Sequence, residues 1–170
     1  MAEIDDELQT GHAEVVETAD PVTQATTAVE MDSIEVDVPR VGIIMGSKSD
    51  MDVMDGAAKV LREADISHEV RVMSAHREPE LVAEYCANAR MRGLRVIIAG
   101  AGLSAALPGV AAAHTDLPVI GVPLSSRLSA MGGLDAILSV LQMPPGVPVA
   151  GVGLDNAKNA GVLALRILRA

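Results

Sequence analysis

VGIIMGSKSDMDVMDGAAKVLREA, residues 41 to 64, joins five nearly unbroken apolar residues to a helical pattern through a short loop of Gly, Ser, Lys and Asp. In the second half Val53, Met54, Ala57, Val60, Leu61 and Ala64 recur at helical spacing, which predicts a helix over about Met51 to Ala64. A strand with no polar alternation is covered on both faces, and a helix following directly on it is the first half of a parallel crossover. The same unit recurs down the chain. EVRVM (69–73) alternates, and Pro79 then opens a helix with Leu81, Val82, Tyr85 and Ala89 on one face, stopped at Gly93. RVIIAG, PVIGVP and VPVAGV supply three further strands, with helices expected near Ser104–Ala113, Leu134–Gln142 and Asn156–Arg169. Five strands alternating with five helices predict an α/β fold: a three-layer α/β/α sandwich on a parallel five-stranded sheet, flavodoxin-like or Rossmann-like.

The composition sets bounds on what such a domain does. Of the 170 residues 49% are hydrophobic, yet there is no Phe, no Trp and one Tyr, so the core is built from aliphatic side chains and Met. That poverty argues against the aromatic stacking platforms that hold single-stranded nucleic acid, and no nucleic-acid partner is expected. Charge is unevenly spread. Residues 1–39 carry 11 of the 23 acids and no Lys or Arg, leaving 12 acids against 13 bases in residues 40–170. The chain therefore divides into an acidic N-terminal extension, 1–39, expected to be disordered apart from a strand-like stub at Ser33–Val38, and a folded domain, 40–170. An interaction arm is the alternative use of the extension. It lacks the basic start and the apolar stretch of about 7 to 15 residues of a signal peptide, and no run approaches the roughly 18 apolar residues of a membrane span. One cysteine, Cys86, excludes an internal disulfide and fits a reducing compartment, so a cytoplasmic location away from membranes is expected. Cys86 lies in a helical pattern, where a buried thiol is the expectation.

Ligands of open α/β sheets bind beyond the carboxyl ends of the strands. The loops there read GSKSD (46–50), SAHREP (74–79), GAGLSAALPG (100–109), LSSRLSAMGG (124–133) and GLDNAKN (153–159), all rich in small or hydroxyl residues that present N–H and O–H groups to an anion. GSKSD reads either as a turn with Asp50 as helix N-cap or as part of the site, and it lacks the longer glycine loop of a Walker motif. GAGLSA fits the dinucleotide pattern G-x-G-x-x-G/A, but it follows the third strand, and no acidic residue ends the next strand to hold a ribose. Of the four histidines, His76 sits on a strand-to-helix loop beside Arg77 and two residues after Ser74. A guanidinium there can fork onto phosphate or carboxylate, and an imidazole beside the bound anion can donate and accept a proton near neutral pH. His12, His68 and His114 read as structural or surface residues. No His/Cys/carboxylate group has metal-ligand spacing, so no metal is expected.

GSKSD, SAHREP, IIAGAG, ALPG, LPVIGVP, LDAILSVLQMPPGVPVA and NAKNAGVLALRIL resemble, in order and spacing, the PurE family of N5-carboxyaminoimidazole ribonucleotide mutases, over about residues 40–169. The resemblance implies an isomerase of purine (IMP) biosynthesis that moves a carboxyl group from the exocyclic nitrogen of an aminoimidazole ribonucleotide to ring carbon 4. It implies no metal, ATP or organic cofactor, and a homo-octamer with sites at subunit junctions, which would suit the nearly all-round apolar helix at 159–168. Carried onto this chain, the family motifs place Ser47 and Asp50 on the substrate, Arg77 on its phosphate and His76 at the reacting centre as general acid and base. Ser49, Ser74, Gly100, Ala101 and Gly102 fall on the same loops and are expected to bind substrate. A closed pocket made by GAGLSAALPG would exclude water and keep carbon dioxide beside the ring. The family usually reads AGAGGAAHLPG there; this chain reads AGAGLSAALPG, with Ala106 where a second histidine is common. That departure leaves a direct carboxylase using free carbon dioxide as an alternative, alongside a non-catalytic nucleotide-binding regulatory module.

Overall fold

The computed structural model describes residues 38–170. The acidic extension assigned to 1–39, apart from Val38 and Pro39, and the Ser33–Val38 stub, apart from Val38, lie outside the described residues, as does His12.

In chain order the elements are β1 (Val41–Met45), α1 (Met51–Glu63), β2 (His68–Val72), α2 (Pro79–Ala87), β3 (Val96–Gly102), α3 (Ala106–Ala113), β4 (Val119–Leu124), α4 (Leu134–Leu141), β5 (Ala150–Gly151) and α5 (Ala157–Arg169). All strands run parallel in the order β2-β1-β3-β4-β5. This is the flavodoxin-like order, whose reversal lies between β1 and β3. β1 is buried along its whole length, as its apolar run predicts. Alternate residues feed two cores. Val41, Ile43, Met45, Val96, Ile98, Ile120 and Val122 pack with α1 and α5, while Ile44, Ile97, Ala99 and Val119 face α2, α3 and α4. The sheet is thus the middle of three layers.

Helix α5 falls where expected and packs closely on α1. Its Ala157, Ala160, Gly161 and Ala164 are buried, and Leu163, Leu165, Ile167 and Leu168 pack against the α1-side core. A Cβ on Gly161 would stand 2.9 Å from the Ala57 carbonyl oxygen and 3.0 Å from Val60 Cβ, so glycine sets how closely α1 and α5 approach. Part of the apolar character of 159–168 is therefore used within this chain, while Leu163, Leu165, Ile167 and Leu168 stay partly exposed.

The sheet edges also differ from the sequence reading. β2 is an edge strand with Val70 and Val72 partly exposed, so its outer face is not covered. VPVAGV contributes only Ala150 and Gly151 to the ladder, paired with Ile120 and Gly121, because Pro148 has no N–H to donate.

Candidate active site

Four loops meet at the carboxyl edge around a cavity of about 410 Å³. That lies within the usual range for small-molecule sites, roughly 300–1,000 Å³. The cavity sits at the β1/β3 switch point, where helices leave the sheet on opposite faces and open a crevice between the loops.

The first wall follows β1. Ser47 caps a single tight turn, Lys48–Asp50, before α1 begins. Its Oγ accepts from the Ser49 N–H (3.2 Å), and its own N–H donates to Asp50 Oδ2 (3.0 Å), a reciprocal box that fixes both side chains. The Ser49 hydroxyl donates to Ser47 Oγ (2.9 Å), with Asp50 Oδ1 at 3.3 Å. Asp50 does precede α1, but its side chain makes no capping bond to that helix. The carboxylate is held at the cavity instead. Partial burial pushes its pKa above the ordinary aspartate value, while the Ser49 and Ser47 hydrogen bonds and the Arg77 charge pull the other way.

The second wall follows β2. The N–H groups of Arg77 and Glu78 both bond the Ser74 carbonyl (3.2 and 2.8 Å), closing a turn that carries His76 and Arg77 at its tip. Ser74 itself is buried, whereas His76 and Arg77 are exposed. Arg77 Nη2 donates to the Gly46 carbonyl at 2.6 Å, so the β2 loop is tied to the β1 loop across neighbouring strands.

The third wall ends β3. Ala101 and Gly102 line the cavity, followed by Leu103, Ala106 and Leu107. The helix expected from Ser104 starts at Ala106, because Leu103 (φ 56°) and Ala105 (φ 20°) leave helical backbone angles. Gly100 is the exception among the expected site residues. It is buried inside β3 with its open side against Met54, so its lack of a side chain admits α1 and it does not reach the cavity.

Ser47, Ser49, Asp50, Ser74, His76, Arg77, Ala101 and Gly102 thus share one cavity. The fourth wall, Leu124 at the end of β4 and Ser125, Ser126 and Leu128 after it, was indicated only as a loop at the ligand edge. The residue types in LSSRLSAMGG carry no sign of which serine faces inward. The chamber is also open where a closed one was expected: His76, Arg77, Ser125, Ser126 and Leu128 are all exposed, so the GAGLSAALPG loop walls one side and does not seal it.

The remaining chemistry-bearing residues lie elsewhere. Cys86 is fully buried, and desolvation pushes its thiol up to about 11, which keeps it protonated and unreactive near neutral pH. His68 places Nδ1 2.9 Å from the Ile66 carbonyl, and His114 ends α3 in solvent. Among the described residues no group of three His, Cys, Asp or Glu side chains could hold a metal ion. No described helix is long and apolar enough to cross a membrane.

Similarity to known proteins bears on the fold and the family. The sequence profile of AIR carboxylase matches residues 40–170. An N5-carboxyaminoimidazole ribonucleotide mutase of Pyrococcus abyssi is 58% identical over 135 residues, covering 79% of this chain and 76% of its own. The protein of that name from Mycobacterium tuberculosis is 59% identical over 132 residues, covering 78% and 75%. The crystal structure of Treponema denticola PurE superposes with a TM-score of 0.67 at 34% identity, covering 77% of this chain and 80% of that one. With the parallel fold and the loop motifs at its carboxyl edge, these matches show that the chain belongs to the AIR carboxylase, or PurE, family.

Proposed function

We propose that this chain is an N5-carboxyaminoimidazole ribonucleotide mutase, an isomerase of purine biosynthesis that needs no metal, nucleotide triphosphate or organic cofactor. The observation that carries this reading is the convergence of His76, Arg77, Ser47 and Asp50 on one cavity at the switch point.

Arg77 has guanidinium donors to spare beyond the one on Gly46, and it anchors the ribonucleotide phosphate. Asp50, oriented by the Ser47 N–H, accepts from a ribose hydroxyl, with Ser49 and Ser74 on the same walls. His76 begins protonated and passes its proton to the carbamate nitrogen as the N–C bond breaks, giving the free amine and carbon dioxide. Ring carbon 4 then attacks carbon dioxide and forms the new C–C bond. Neutral His76 removes the proton from that carbon, which restores the aromatic ring and the imidazolium. The proton count closes on one side chain, and His76 is the one imidazole among the described residues lining the cavity. Holding carbon dioxide beside the ring makes its recapture intramolecular.

The open cavity of the single chain requires a cover. We assign it to a homo-octamer with sites at subunit junctions, working in the cytoplasm. Support comes from the resemblance and from exposed apolar side chains along and before α4: Leu128, Met131, Leu138 and Leu141.

A second reading rests on Ala106, which lines the cavity where relatives commonly carry histidine. It is direct carboxylation of aminoimidazole ribonucleotide by free carbon dioxide. Separate spectrophotometric assays decide between them, one offering the N5-carboxylated nucleotide and the other aminoimidazole ribonucleotide with bicarbonate. Faster turnover of the first is the expected result. Preference for the second would identify a carboxylase, and turnover of neither would leave a binding module.

A further inference from the structure

Ser125 opens the β4–α4 loop and lines the cavity. Its backbone N–H donates to Asp155 Oδ1 at 2.8 Å, and its hydroxyl donates to Asp155 Oδ2 at 2.6 Å. Asp155 stands in the β5–α5 loop, thirty residues away in sequence, and its own N–H bonds the Pro123 carbonyl at 2.9 Å. Both carboxylate oxygens are therefore given to one serine, at lengths typical of charge-assisted bonds. Asp155 makes them from a left-handed backbone (φ 54°), which Asp, Asn and Gly tolerate better than other residues.

The chemical consequence is a fixed polarity. A serine whose hydrogen is committed to a carboxylate has only lone pairs left for a ligand. A negative charge directly behind it disfavours phosphate, the group that Arg77 suits from a different wall of the cavity. The rest of the β4–α4 loop needs such anchoring: Met131, Gly132 and Gly133 all have positive φ, and its middle is held only by short-range bonds, such as the Ser126 N–H to Ser129 Oγ at 2.8 Å.

We propose that Ser125 is an acceptor subsite for an N–H or O–H donor of the bound ribonucleotide, and that Asp155 is the positioning residue that aims it. This rests on the reading of the cavity as the nucleotide site. Three variants of the full chain test it, Asp155→Gly, Asp155→Asn and Ser125→Ala. The readouts are the Kd for aminoimidazole ribonucleotide by calorimetry, the Kd for inorganic phosphate by competition, the Tm and the turnover of the N5-carboxylated substrate. Asp155→Gly keeps the left-handed backbone but loses the tether, and should weaken nucleotide binding roughly five- to tenfold. Its phosphate affinity should stay within about twofold, because that subsite is held by Arg77. Ser125→Ala should match the nucleotide loss. Asp155→Asn still accepts from the Ser125 N–H and offers its amide to the hydroxyl, leaving a lone pair for the ligand. It should therefore return to within about threefold of the parent.

Unchanged nucleotide affinity in Asp155→Gly would overturn the proposal. So would an Asp155→Asn as weak as Asp155→Gly, or phosphate affinity falling in step with nucleotide affinity, which would indicate general collapse of the loop. A parent chain that shows the expected binding pattern but no turnover sinks the mutase reading and leaves the subsite standing. A parent that binds no nucleotide sinks both.

Discussion

Replacing Arg77 by Ala removes two things at once, and the structure separates them. One guanidinium nitrogen holds the Gly46 carbonyl at 2.6 Å, while the side chain is otherwise exposed at the cavity and free to fork onto phosphate. A hydrogen bond to a charged group is worth about 1.5–3 kcal/mol. Losing the phosphate contact should therefore raise KM roughly ten- to a hundredfold at about tenfold per 1.4 kcal/mol. The phosphate is remote from the carbon that changes partners, so its binding is nearly the same in ground and transition states and kcat should fall far less than KM rises. The Gly46 bond is solvent-exposed, and its loss should cost about 0.5–1.5 kcal/mol of stability, seen as a small fall in Tm. Arg77→Lys keeps the charge but not the planar fork, so its KM should lie between the two. Steady-state kinetics on the N5-carboxylated nucleotide at low ionic strength, paired with thermal melts, give both numbers. A normal KM with a collapsed kcat would refute the assignment of Arg77 as phosphate anchor.

Three other perturbations are informative. Asp50 must be ionised to accept from a ribose hydroxyl, and its pKa is raised in the fold, so the acid limb of kcat/KM should lie above the ordinary aspartate value and flatten in Asp50→Asn. By the same shift the native state gains stability from this group below the unfolded pKa and loses it as pH rises through the folded one; a melt series against pH on parent and Asp50→Asn checks the sign. Cys86→Ala should keep near-parental activity at a stability cost of about 1 kcal/mol, and the native thiol should resist iodoacetamide near neutral pH; rapid alkylation or a dead variant would show that the site lies elsewhere. Gly102→Ala would put a Cβ 2.8 Å from the Leu124 carbonyl oxygen, prising β4 from β3 at the cavity wall, and should cost about 1–3 kcal/mol in denaturant melts as well as raising KM.

Where the sequence reading succeeded, the signal was local. The run from Val41 to Met45 is apolar on both faces because both faces are covered, so its limits could be read directly. The loops that carry Ser47, Asp50, His76 and Arg77 could be placed at one edge because parallel topology sends every strand-to-helix loop there, whereas the choice of Ser47 and Asp50 within GSKSD came from the family resemblance. What stayed hidden depends on partners far along the chain. No pattern within VPVAGV tells that just two residues reach a neighbour, and Leu103 and Ala105 have helix-compatible side chains on a backbone that is not helical. Gly100 carried the look of a site glycine, but its neighbour is Met54, set by the packing of α1 on β3. The pairing of Ser125 with Asp155 joins two loops that no periodicity relates.

In the proposed mechanism one imidazole carries the proton out and back. Titrating His76→Asn with aminoimidazole ribonucleotide, and assaying the same preparation on the N5-carboxylated substrate, tests it directly. Nucleotide affinity close to the parent with turnover abolished is the predicted result. Turnover that survives the substitution would place the proton relay on another group.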